Sequence, residues 1–180
     1  MATLVAFLRG INVGGHTAKN EELERVFKKL GFQSASAFRQ SGNIVFESGR
    51  VSGDTARLRL ESGLREALGY DVAVLIRKLS DLKEIMRSAP TELGETREAS
   101  YLVTLLPNPL TRFPVALPTI IPKSSAEIVS HSGSEVFSIT HGGGEGGLPN
   151  PFLESLLEVK ATTRNLNVIR EIVERYGQYH

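Results

Sequence analysis

Residues 36 to 48 read SAFRQSGNIVFES. Two short runs rich in apolar and β-branched residues, SAFRQ and NIVFES, flank Ser41 and Gly42, and that spacing reads as a tight β-hairpin. The arms of such a hairpin are antiparallel, so the sheet that holds them is not the parallel sheet of nucleotide-triphosphatases.

Upstream of the hairpin, LVAFLR at residues 4 to 9 reads as a strand. Asn20 then caps an acidic first turn that leads into Leu23, Val26, Phe27 and Leu30 at helical spacing, with Gly31 as the stop. Downstream, Asp54 opens a second helix with Ala56, Leu60, Leu64 and Leu68 on one stripe. Gly69 ends it and the strand DVAVLIR follows. The order βαββαβ is the split βαβ, or ferredoxin-like, arrangement, with two helices on one face of a four-stranded antiparallel sheet. A short helix, Ser80 to Ser88, stops before Pro90.

Beyond residue 98 the plan repeats with more wear. YLVTLL at 101 to 106 is a strand, and AEIVSH with EVFSIT forms a second hairpin around Ser132 and Gly133. Asn150 caps a helix with Pro151 at its first position. SGNIVF at 41 to 46 and SGSEVF at 132 to 137 agree at four of six positions, which supports a duplication, although hairpin chemistry alone can generate such agreement. Pro107, Pro109, Pro114, Pro118 and Pro122 crowd the segment where the plan wants a helix, so that helix should be short, broken or displaced. Thr162 or Thr163 can cap a final helix that buries Leu166, Ile169, Ile172, Val173 and Tyr176 and ends at Gly177. The expected fold is therefore an α+β sandwich of duplicated ferredoxin-like βαββαβ halves with antiparallel sheets, residues 1–98 and 99–180, plus a C-terminal helix.

Composition limits the function classes. The chain has 180 residues, 41% hydrophobic and 23% charged, with a formal charge of +1, which describes a globular domain able to bury roughly 70% of its unfolded surface. Charge is evenly spread: residues 1–98 carry 15 Lys/Arg against 13 Asp/Glu, and the remainder 6 against 7. That spread argues against a general polyanion binder. Zero cysteines exclude disulfides, thiolate catalysis and cysteine zinc sites. The apolar run Leu4 to Leu8 is broken by Arg9 and is too short for a signal core or a membrane span, so a cytoplasmic location is expected.

The loop after the first strand, FLRGINVGGHT at 7 to 17, comes within one residue of a phosphate-binding loop: Gly10, four residues, Gly15, then His16 and Thr17 where Lys and Ser/Thr would complete it. With no Lys, no second acidic metal ligand at a strand end and an antiparallel context, it is not a nucleotide-triphosphatase loop. Two readings stand. Gly10, Gly14 and Gly15 supply backbone conformations closed to other residues in a wide turn. Alternatively, Arg9, Asn12, Gly14, Gly15 and His16 hold a small carboxylate or phosphate.

KATTRN at 160 to 165 places two hydroxyls, two cations and an amide at the expected helix start; Arg164 and Asn165 join the candidate ligand-binding set if the two ends of the chain fold together. Ser41, Gly42 and Asn43 are explained by the turn they form. HGGGEGG at 141 to 147 reads as a long loop or a lid, and its Glu145 makes it a poor phosphate cradle. His131 and His141 flank the second hairpin without a third ligand nearby, so no metal and no cofactor is expected. No nucleophile elbow or dinucleotide fingerprint appears, and no reaction is assigned. Single-stranded nucleic-acid binding would need stacked aromatics on the central strands, where only Phe7 and Phe46 fall. The alternatives to the anion-binding reading are a single-stranded nucleic-acid module that uses the open sheet faces and a structural or self-associating role.

LRGINVGG, QSGNIVFES, GYDVAVLIR and ATTRN, followed by an amphipathic terminal helix, resemble the signature segments of a bacterial family of unknown function across almost the whole chain. The resemblance implies a duplicated ferredoxin-like fold and no established reaction, substrate or cofactor. It also marks departures: His16 stands where the family usually has Lys, GGGEGGL where it has a basic GRSK-like stretch, and Leu166 where it has Trp.

Overall fold

The computed structural model describes residues 2–12, 14–40, 42–90, 99–141 and 148–177. The chain divides into two compact units, residues 1–82 and 83–180. Among the described residues there are two antiparallel sheets, of four and five strands, and five helices, the last of them C-terminal.

In the first unit the elements run β1 (Thr3–Arg9), α1 (Asn20–Lys29), β2 (Ser36–Phe38), β3 (Asn43–Glu47), α2 (Gly53–Leu68) and β4 (Ala73–Lys78), and α3 (Leu79–Ser88) begins at its end. The strand order is β2-β3-β1-β4, with β1 antiparallel to both neighbours. This is the order a split βαβ requires. Alternation along β1 puts Leu4, Ala6 and Leu8 on the face that packs with Leu23 and Phe27 of α1 and with Ala56, Leu60 and Leu64 of α2. Phe46 completes this core edge-on to Phe27 and Phe32, with ring centroids 5.3 and 4.9 Å away. Val5, Phe7, Val45 and Leu75 lie on the other face and are buried too.

Gly31 ends α1 as expected, at φ +97°. Its amide bonds Lys28 O and that of Phe32 bonds Phe27 O, each at 3.0 Å, the paired closure of a Schellman motif. Asn20 is not the cap. It is the first helical residue after Lys19, which makes no side-chain cap bond, and its Nδ2 donates to Arg39 O at 3.1 Å. Ser52 caps α2, accepting from the Thr55 amide, so the helix starts one residue before Asp54.

The hairpin is looser than the spacing predicts. β2 ends at Phe38, which pairs with Asn43, leaving residues 39–42 as the loop, with Arg39 at φ 58° and Gly42 at φ 68°. Ser41 lies outside the described residues. Tertiary contact explains the longer loop: Gly42 O accepts from the Leu8 amide at 2.8 Å, and a Cβ on Gly42 would stand 2.5 Å from Ile11 Cδ1.

The second unit contains β5 (Ala99–Leu105), β6 (Thr119–Ile120), β7 (Ala126–Ser132), β8 (Glu135–His141), α4 (Asn150–Leu157), β9 (Thr162–Asn165) and α5 (Leu166–Tyr176). Its sheet runs β6-β7-β8-β5-β9. With β6 set aside, the order matches the first sheet strand for strand. The proline-rich segment holds no helix among residues 106–125, and β6 is its one strand. Phe113 and Ile121 from that segment join Leu153 of α4 over Ala126, Ile128 and Val136.

Two sequence expectations fail here. TTRN is not a helix start; it is the edge strand β9, paired to β5 from Leu102↔Asn165 to Leu105↔Thr162. The cap of α5 is Asn165, whose Oδ1 accepts from the Asn167 amide at 2.8 Å. Asn150 likewise is helical rather than capping, and its Nδ2 donates to Ala161 O at 3.0 Å.

The four-of-six match between the hairpins does not align equivalent residues. The second hairpin turns on two residues, Gly133 and Ser134, between Ser132 and its partner Glu135, whereas the first uses four. Asn43 therefore corresponds to Glu135, and Phe46 to Ser138. A slip of one residue moves every side chain to the opposite face.

Candidate functional site

The glycine-rich loop leaves the end of β1 and enters α1. Gly10, Asn12, Gly14 and Gly15 all have positive φ, between 58° and 86°. Added Cβ atoms on the three glycines would meet nothing within 4 Å, so backbone conformation, not crowding, selects glycine there. The loop is tied at both ends. Ile11, 7% exposed, packs into the hollow over Gly42, and Asn12 Oδ1 accepts from the Ala18 amide at 2.9 Å. Leu8 to Asn12 and Gly42, separate in sequence, thus form one junction.

His16 stacks on Tyr70, with ring centroids 3.9 Å apart and planes 24° from parallel. Tyr70 follows Gly69, the left-handed C-cap of α2, and packs partly against the first core. Its hydroxyl is screened from solvent and has no hydrogen-bond partner. Burial raises its pKa above the usual phenol value, and the charge of Glu22 raises it further. Sequence reasoning missed Tyr70, although it opens the GYDVAVLIR segment.

Of the predicted set, Arg9 ends β1 opposite Ala73 and shares the face of Val5 and Phe7, away from the α1–α2 core. Asn12 works inside the loop as an acceptor. Gly14, Gly15 and His16 are exposed at its tip. Arg164 and Asn165 belong to the second unit. The Arg164 guanidinium donates to Thr162 Oγ1 at 2.7 Å and Thr163 O at 2.9 Å. Burial lowers its pKa to about 10, which leaves it charged at neutral pH. Arg77 on β4 makes the same kind of contact, NH1 to Ile76 O at 3.0 Å, at the equivalent register: Val5 faces Arg77 and Val103 faces Arg164.

Among the described residues no protein acceptor takes the amides of Gly14, Gly15, His16 or Thr17. Glu21 and Glu22 in the first turn of α1 put negative charge beside them. The tip can therefore donate several neutral hydrogen bonds, with His16 as its one ionisable side chain. Among the described residues no cluster of three or more His, Asp or Glu could hold a metal ion. His141 through residue 147, the expected lid, lies outside the described residues beyond His141. Phe7, Phe38 and Phe46 are all buried, so the first sheet offers none of these rings for base stacking. No helix of the described residues is long and apolar enough to cross a membrane.

The fold and this loop define an α+β protein of two antiparallel sheets with a glycine-rich junction after its first strand. A family model described as "Protein of unknown function (DUF1697)" matches residues 1–137, and the chain belongs to that family. Among solved structures it is similar to the conserved bacterial protein SP0830 from Streptococcus pneumoniae, at 18% identity and a TM-score of 0.65, over 96% of this chain and 97% of that one. That likeness concerns the fold. No functionally curated protein matches the chain.

Proposed function

We propose that the tip of the glycine-rich loop, Gly14 to Thr17, binds a small anionic or phosphorylated ligand in the cytoplasm. One observation carries this reading: consecutive exposed amides without protein acceptors stand on a loop whose two ends are fixed, by Ile11 over Gly42 and by Asn12 on Ala18. Fixed ends lower the ordering cost of closing amides around an oxyanion. His16 stands beside them, held by Tyr70, and adds charge when protonated.

Amide chemical shifts during titration with inorganic phosphate and with acetate test the reading. The resonances of Gly14 to Thr17 are expected to move and saturate, and Gly15→Ala to weaken the effect. His16→Lys, which restores the permanent cation of the resembling family, is expected to tighten binding severalfold. If these amides stay still with both anions, the loop is a turn and nothing more.

A further inference from the structure

A second concavity lies at the other end of the first unit, roughly 20 Å along β1 from the glycine loop at strand spacing. Its volume is about 480 Å³, within the range of small-molecule sites. Two left-handed glycines shape it: Gly31, φ +97°, turns the chain out of α1, and Gly49, φ +61°, turns it away from β3. The floor is apolar, formed by Leu30, Phe32 and Val51.

The polar groups around that floor divide sharply. Ser34 Oγ accepts from the Glu47 amide at 3.1 Å, and the Glu47 carboxylate accepts from Thr3 Oγ1 at 2.8 Å. Gln33 Nε2 is turned back onto Lys28 O at 3.2 Å. Arg50 and Arg59 are different. Both line the concavity, both are exposed, and among the described residues neither has an acidic partner or a hydrogen-bond acceptor. Some cations of this unit do find partners, as Lys29 with Glu66 and the half-buried Arg57 with Glu61, while Lys19 and Arg25 are as open as these two, so it is the shared concavity that sets Arg50 and Arg59 apart. The amides of Gly49 and Arg50 also lack protein acceptors. Two cations and two amide donors above an apolar floor, against one carboxylate already engaged by Thr3, complement a molecule with a hydrocarbon body and an anionic head.

We infer that this concavity is a binding site for a small amphipathic carboxylate, its apolar body on Leu30, Phe32 and Val51 and its carboxylate held between Arg50 and Arg59. The site is independent of the glycine loop. Its recognition elements are the segments 30–34 and 47–51 and Arg59 in the second turn of α2.

Titration with octanoate, octanol and acetate separates the two halves of the recognition. Octanoate is expected to bind with a submillimolar Kd read from the amide resonances of residues 31–34 and 47–51, while any movement at 14–17 reports the glycine loop and follows a separate, weaker isotherm. Octanol, which lacks the charge, and acetate, which lacks the body, should each bind at least tenfold more weakly. The double variant R50Q/R59Q substitutes exposed side chains with no protein partners, so its circular dichroism should be that of the parent while octanoate affinity falls at least tenfold. Equal affinity for octanol, undiminished affinity in R50Q/R59Q, or shifts confined to other residues would each overturn the assignment.

Discussion

Phe46 and Ser138 occupy the same place in the two halves of the molecule. Each is the fourth residue of the second hairpin strand, and each faces a leucine of the central strand, Leu4 in one case and Leu102 in the other. In the first unit Phe46 anchors a three-ring cluster under two helices, and Ala6 pairs with Ile76 where the second unit pairs Thr104 with Thr163. In the second, the same rows carry Thr104, Ser138, Thr140 and Thr163, all at most 6% exposed. Thr104 and Thr163 share a hydrogen bond of 2.7 Å, while the Ser138 hydroxyl has no partner. One strand order thus supports two kinds of core. An apolar core gains from every added ring, whereas a hydroxyl-bearing core is tolerated where the hydroxyls pair.

The contrast breaks if truncating the ring is harmless. Phe46→Ala should cost about 3–5 kcal/mol in urea unfolding, the usual range for removing a buried ring from a close-packed cluster. Next in size come the turn glycines. Gly42→Ala combines a left-handed backbone with a collision against Ile11 and Leu8 and should cost about 2–4 kcal/mol. Gly133→Ala meets only Glu135 Oε2, at 3.6 Å, and should cost about 1–2 kcal/mol. Equal losses would mean that the junction over Gly42 contributes nothing.

Within the second core, Thr163→Val strands the Thr104 hydroxyl and should cost about 1–3 kcal/mol, most of it recovered in the double variant with Thr104→Val. Ser138→Ala should be neutral or stabilising by up to about 1 kcal/mol, since it deletes an unpaired buried hydroxyl. A loss larger than that would reveal a partner for Ser138 in solution. The smallest effect concerns pH. Tyr70 has its pKa raised in the folded state by burial and by Glu22, so below pH 10 both states keep the proton and nothing changes. Above it the unfolded chain ionises first and stability falls. Tyr70→Phe should flatten that alkaline decline, as followed by thermal melts between pH 9 and about 11.

How legible this was depended on the range of the forces involved. The strands LVAFLR and NIVFES, the stripe of α2 and the stops at Gly31 and Gly69 were readable because periodicity and left-handed glycines act over a few residues. Asn20 and Asn150 were misread as caps. An Asn at the first helical position looks the same in sequence, and here each amide reaches a distant carbonyl instead. TTRN was misread because an edge strand of four residues has too little alternation to outweigh a cap signal, and only pairing with β5 defines it. The letters shared by the two hairpins misled for a related reason: loop length, four residues against two, sets which face a residue joins. At the candidate site, the glycines announced the left-handed turn, but the Tyr70 ring 54 positions from His16 and the open arginines at 50 and 59 depend on tertiary placement that no local pattern encodes.

The Asn12 to Ala18 closure has a practical corollary. Because a single side chain clasps the two feet of the loop, the path enters and leaves through one gateway, and what lies between is decoupled from the register of β1 and the start of α1. A peptide spliced between residues 12 and 18, or a new pair of chain ends opened there, would leave the sheet undisturbed. That makes the loop a natural port for grafting a reporter onto this scaffold.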